Sequence, residues 1–157
     1  MLKQKIVPLI FFLAITFLAA FIGNFFTMPN IQTWYATLNK PSFSPPNWLF
    51  GPVWTILFIL MAIAAFLVFQ TKDNSKRKTA LTFYFIQLVF NSFWSILFFG
   101  LHSPKFAFFE IIILWILILI TLIKFLKIKK IAGLLLVPYL LWVSFASILN
   151  LFIWLIN

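Results

Sequence analysis

FAFFEIIILWILILITLIKF, running from Phe106 to Phe125, decides the class of fold. Its only ionisable residues are Glu110 near the start and Lys124 near the end. A bilayer's hydrocarbon core is roughly 30 Å thick and a helix rises about 1.5 Å per residue, so about 20 apolar residues cross it. This run is too long for a buried strand and too evenly apolar for a helix with one face in water. It reads as a membrane span. Working outward, four further runs have the same character: Ile6–Phe26, Trp48–Phe69, Thr79–Gly100 and Ala132–Ile156. The expected fold is all-α, a membrane-embedded bundle of five transmembrane helices. A single domain over residues 1–157 takes up the whole chain.

Composition agrees. Of 157 residues, 64% are apolar and 9% charged, against about 25% charged in soluble domains. Mean hydropathy is +1.12. So few charges do not cover a water-facing surface, which leaves lipid as the solvent and a multi-pass protein of the cell membrane as the expected localisation. There are no cysteines, so disulfides, thiolate metal sites and cysteine nucleophiles are excluded. The apolar run after Lys3 and Lys5 exceeds the ~7–15 residues of a signal-peptide core, so an uncleaved first helix is expected.

The net charge of +10 taken alone suggests nucleic acid. Placement says otherwise. Lys3, Lys5, Lys72, Lys76, Arg77, Lys78, Lys124, Lys127, Lys129 and Lys130 fall on one side of a five-span chain, while Lys40 and Lys105 fall on the other. The positive-inside rule puts the N-terminus in the cytoplasm and the C-terminus outside. These cations anchor the chain to anionic headgroups, and no nucleic-acid partner is expected. The long connection from Met28 to Asn47 carries Pro29, Pro41, Pro45 and Pro46, which preclude one continuous helix. It is expected as an ordered loop over the outer face.

Catalytic equipment is scarce. The one histidine is His102, read as an interfacial residue or, less favourably, as an axial haem ligand. The acids are Asp73, in a basic loop, and Glu110. No metal centre and no Ser-His-Asp set can be assembled. Glu110 is either a functional intramembrane acid or an acid close enough to the interface to reach water or Lys105.

Polar and aromatic residues recur at helical spacing. Tyr84, Gln87, Asn91 and Ser95 make one stripe, extended by Trp94; Tyr139, Trp142, Ala146 and Asn150 make another; Trp54 and Phe58 lie one turn apart. In lipid such stripes turn inward. Converging, they line an apolar cavity with a few polar groups, the form of a small-molecule pocket. The alternative is structural: polar side chains as interhelical glue, and Trp34, Trp48, Trp115 and Trp154 as interfacial or lipid-facing residues. Ala19 and Gly23 form a small-xxx-small pair for close helix approach, within or between chains.

The run from Trp34 to Phe43, WYATLNKPSF, is followed by Ser44-Pro45-Pro46-Asn47-Trp48 and Phe50-Gly51-Pro52-Val53-Trp54-Thr55. Further along come Gln87-Leu88, Asn91, Trp94-Ser95, Phe98-Phe99-Gly100, Pro138-Tyr139, Trp142, Phe145-Ala146 and Leu149-Asn150. In order and spacing over nearly the whole chain, these pieces resemble the TspO/MBR family, the translocator protein or peripheral benzodiazepine receptor family, in its bacterial form. The resemblance implies a five-helix bundle, often a homodimer, with a pocket open toward the first loop. It implies porphyrin or haem-related tetrapyrroles and other flat hydrophobic molecules as ligands, with no required cofactor. It places the ligand-binding residues at Tyr35, Trp54, Phe58, Asn91, Trp94, Trp142 and Ala146. Two readings follow: a receptor that regulates tetrapyrrole levels, or a protein that degrades protoporphyrin in light, with Trp54 and Trp142 in the photochemistry. A transporter is a third, though the sequence shows no evident broken helices, inverted repeats or paired charges of the kind secondary transporters use. The fifth span ends without the tyrosine and cation of sterol-responsive members, which argues against sterol binding.

Overall fold

The computed structural model describes the backbone of residues 2–157 and the side chains of residues 6–157; Lys3 and Lys5 thus lie outside the described side chains. All regular structure among the described residues is helical. The elements are α1 (Leu2–Ile31), α2 (Trp34–Thr37), α3 (Asn47–Phe69), α4 (Asn74–Ser95) continued by a π-helical turn (Ile96–Gly100), α5 (Pro104–Ile128), α6 (Lys130–Leu134) and α7 (Val137–Ile156). They supply five stretches long and apolar enough to cross a membrane, with α6 and α7 together forming the fifth.

α1 packs against α3 and α4, α4 against α5, and α5 against α7. α3 closes the ring against α6 but meets α7 along little of its length. One end of the bundle carries Lys72, Lys76, Arg77, Lys78, Lys124, Lys127, Lys129 and Lys130 and is the basic end; the loop end carries α2 and the proline segment.

Local chemistry sets the helix ends. The Asp73 carboxylate accepts from the Lys76 amide (3.1 Å) and starts α4. Ser103 caps α5, with Pro104 in the first turn where no amide is needed. The Arg77 guanidinium donates to the Phe69 and Thr71 carbonyls and so finishes α3. Pro138 has no amide to offer Leu134, and the fifth span breaks at Leu135–Leu136 into α6 and α7.

The first span runs farther than its sequence suggests. α1 continues to Ile31 with Pro29 inside it, rather than ending near Phe26. Thr27, Asn30 and Thr33 each donate back to the carbonyl four residues earlier, and Thr33 thereby binds the Pro29 carbonyl, which the last turn otherwise leaves open. The small pair Ala19 and Gly23 serves within the chain: Ser92 Oγ donates to the Ala19 carbonyl at 2.8 Å, and a Cβ on Gly23 would meet Ser95 Oγ at 3.0 Å. At the end of the third span, Leu101 N bonds Ile96 O across the wider π turn. Adjacent Phe98 and Phe99 are both buried there.

Candidate ligand site

Between α3 and α7, where the backbones stand apart, aromatic rings fill the space. Trp54 stacks on Phe58 (centroids 5.5 Å apart) and meets the edge of Tyr139 (6.1 Å). From the facing side, Trp142 lies 5.9 Å from Phe50 and 5.5 Å from Phe145. Above them the loop lowers Phe43 onto Phe145 and Phe152. The loop is held there by a reciprocal pair: Asn39 N donates to Asn157 Oδ1 (2.9 Å), and Asn157 Nδ2 donates to the Asn39 carbonyl (3.0 Å).

The polar stripes supply the rear wall. Tyr139 Oη donates to Gln87 Oε1 and accepts from Asn91 Nδ2, both at 2.9 Å. Trp94 Nε1 donates to Asn150 Oδ1 (2.9 Å), and Asn150 Nδ2 donates to the Pro104 carbonyl (2.8 Å). α4, α5 and α7 are thereby joined through side chains that hydrocarbon could not satisfy. The third-helix stripe divides, however. Gln87, Asn91 and Trp94 serve this wall, whereas Tyr84 bonds Thr16 of α1, and Ser95 faces Gly23.

Of the expected site residues, Trp54, Phe58, Trp94, Trp142 and Ala146 belong to the main packed core of the bundle, and Asn91 joins them through Tyr139. Tyr35 stands in an adjoining cluster with Phe98 and Phe99, which Trp94 links to the first. Lys40 Nζ lies 4.6 Å above the Tyr35 ring. Burial pushes the Tyr35 phenol above its ordinary value, so it stays a neutral donor. Asn91 spends one amide proton on Tyr139, and its second proton and its oxygen have no other protein partner. Phe43, Phe50 and Phe145 complete the ring wall, and sequence periodicity singles out none of them. The signal available was their neighbourhood: Phe43 between prolines, Phe50 one turn before Trp54, Phe145 beside Ala146.

Two buried groups near this wall have no hydrogen-bond partner in the protein: the Trp142 indole N–H and the Glu110 carboxyl. Glu110 is 5% exposed, and Lys105 sits instead over Trp154, so the acid is buried and not paired with that lysine. His102 is exposed, stacked on Trp34 at 4.4 Å and bonded to Asn30 at 2.9 Å, at a turn with φ 50°. Trp115 is interhelical glue, donating to Ser144 at 2.7 Å. Trp48 is the exposed one, at 72%. Among the described residues there is no cluster of metal-ligating side chains.

Five apolar spans, satisfied internally and exposing apolar side chains outward, define a multi-pass integral membrane protein with an aromatic interior between two non-consecutive spans. The chain belongs to the TspO/MBR family, whose model matches residues 12–155. It is 46% identical over 137 residues to the tryptophan-rich protein TspO of Archaeoglobus fulgidus, covering 87% of this chain and 88% of that one. With the tryptophan-rich protein TspO of Chlorobaculum tepidum the identity is 43% over 95% of both chains. The translocator protein of Homo sapiens is 32% identical over 94% of this chain and 89% of its own.

Proposed function

We propose that this protein is a membrane receptor for porphyrin-like tetrapyrroles and other flat hydrophobic ligands, which it takes up between α3 and α7 beneath the first loop. The observation that carries the reading is the pair of aromatic walls, Trp54 with Phe58 and Phe50 with Trp142 and Phe145, between helices whose backbones barely meet. Faces and edges of rings suit a planar macrocycle, each well-placed aromatic pair adding about 0.5–1.5 kcal/mol beyond area burial. The unpartnered Trp142 N–H is a donor for a ligand carbonyl or carboxylate. Ala146 lets a ring approach the α7 backbone, and Lys40 at the loop end offers charge to carboxylates. The segregation of cations to the opposite end supports an orientation with that end in the cytoplasm and the loop outside.

Titration of the purified protein with a panel of tetrapyrroles, read by tryptophan quenching, tests this. Saturable 1:1 quenching, weakened at least tenfold in Trp142→Phe, is expected. Unsaturable partitioning, equal to that of protein-free nanodiscs, would remove the proposal. Trp54 and Trp142 reach the same space from opposite helices, which favours as second reading the light-dependent breakdown of bound protoporphyrin. Illumination decides it: a new product spectrum, lost in Trp54→Phe and Trp142→Phe, supports breakdown, and quenching without product supports a receptor.

A further inference from the structure

At the basic end, a cleft of about 240 Å³ opens between the start of α4 and the end of α5. Ser75, Lys76 and Thr79 line it from α4; Lys124, Lys127 and Ile128 line it from α5. At about 30 Å³ per water, it has room for on the order of eight water-sized groups, enough for a phosphodiester with some hydration.

Charge favours an anion. The cleft holds three lysines, and the nearest acid is Asp73, whose carboxylate lies 3.2 Å from Lys76 Nζ and offsets that one cation. Lys124 and Lys127 remain, with Lys124 Nζ held 5.1 Å over the Phe83 ring. The C-terminus of α5 opposes an anion with about half an elementary charge, less than either lysine brings.

The cleft's place on the molecule narrows the anion. Below it the grooved face of α4 and α5 turns apolar. Thr79 is followed at helical spacing by Phe83, Ile86 and Phe90, and Lys127 is preceded by Ile123, Ile120 and Ile116. Ile86, Ile116 and Ile123 are exposed, at 38%, 47% and 42%. A second basic cleft, around Arg77 and Lys78, offers less, because Arg77 is committed to the Phe69 and Thr71 carbonyls and to Asn74.

We infer that the α4–α5 cleft is a binding site for an anionic phospholipid, with the phosphate between Lys124 and Lys127, within reach of the Ser75 and Thr79 hydroxyls, and an acyl chain along the apolar groove below. The site lies at the end of the bundle opposite the aromatic walls and stands independently of the proposed receptor role. It ties α4 to α5 at the membrane surface.

Native mass spectrometry of the delipidated full chain, titrated with phosphatidylglycerol or phosphatidylcholine in neutral detergent, tests it. The unmodified protein retains phosphatidylglycerol in preference. Lys124→Gln with Lys127→Gln lowers that preference roughly tenfold or more. Lys72→Gln with Lys130→Gln, the same charge loss at the same end outside the cleft, changes it less than twofold. Lys124→Arg with Lys127→Arg keeps it. If the glutamine pair does not fold, Ser75→Ala with Thr79→Val gives the second reading, a two- to threefold loss. An equal loss in both glutamine pairs, no preference in the unmodified protein, displacement of the lipid by millimolar inorganic phosphate, or no loss in the Ser75/Thr79 variant would each overturn the site.

Discussion

The two halves of the bundle are built on different terms. Toward the basic end, α3 presents Met61, Ala62, Ala64, Ala65 and Val68, all fully buried, against Ala80, Ala132 and Phe125. Small side chains let backbones close, and Gly133 approaches so near that a Cβ there would overlap Leu126 and lie 2.7 Å from its backbone nitrogen. Toward the loop end the contacts are between large rings, α3 and α7 separate, and the Trp142 N–H is left without a partner. The interior of one half is closely packed small side chains, with no buried polar side chain left unpaired among the described residues. The other is walls of rings and spare hydrogen-bonding capacity, which is what a guest needs. On the proposed reading, fold and function separate along the length of the bundle.

Substitutions sharpen that contrast. Gly133→Ala strikes the packed half, where the clash includes backbone and the neighbour cannot yield cheaply. Overpacking of this kind costs about 1–3 kcal/mol, so a clear drop in thermal stability is expected, with ligand affinity in the surviving folded protein unchanged. Gly51→Ala, at a helical glycine with nothing near, should raise stability by roughly 0.4–1 kcal/mol, the opposite sign. Tyr139→Phe tests the rear wall between the halves. It leaves Gln87 and Asn91 without their shared hydroxyl, and roughly 0.6–1.7 kcal/mol is expected from interhelical bonds in membranes. Chemical denaturation in mixed micelles would show it.

The smallest effect lies at the surface. Asp73 is held below the usual carboxylate range, chiefly by the Lys76 amide and then its side chain. A depressed folded-state value means its stabilisation is present above the ordinary carboxylate pKa and fades as pH falls through the depressed one. Asp73→Asn should therefore lower the melting temperature slightly at pH 7 and not at all in strong acid. An equal shift at both pH values would contradict that cap.

Much of this was legible in the chain. Hydropathy alone places five spans, because lipid leaves a helix few choices. The stripes on α4 and α7 find the rear wall, because a polar group in hydrocarbon must have a partner. What stayed hidden depends on geometry that pattern does not encode. Pro29 reads as a stop yet lies inside α1, since a proline near a helix end forfeits one bond and Thr27, Asn30 and Thr33 bind nearby carbonyls. The π turn at Ile96–Gly100 has no sequence signature and buries adjacent phenylalanines. The Asn39–Asn157 pair joins residues 118 apart, so no local window could show it. Trp115 and Trp48 look alike in sequence, yet one bonds Ser144 and the other meets the surroundings.

Adding bulk among the aromatic rings while leaving the rest of the molecule alone bears most directly on the receptor reading. Ala146→Phe adds a ring at the α7 wall, and Val89→Phe adds similar bulk on the 67% exposed outer face of α4. Protoporphyrin affinity of both, measured by fluorescence titration in one nanodisc composition, should fall at least tenfold, about 1.4 kcal/mol, for Ala146→Phe and stay unchanged for Val89→Phe. Equal affinity in the two variants would place the ligand elsewhere and contradict the account.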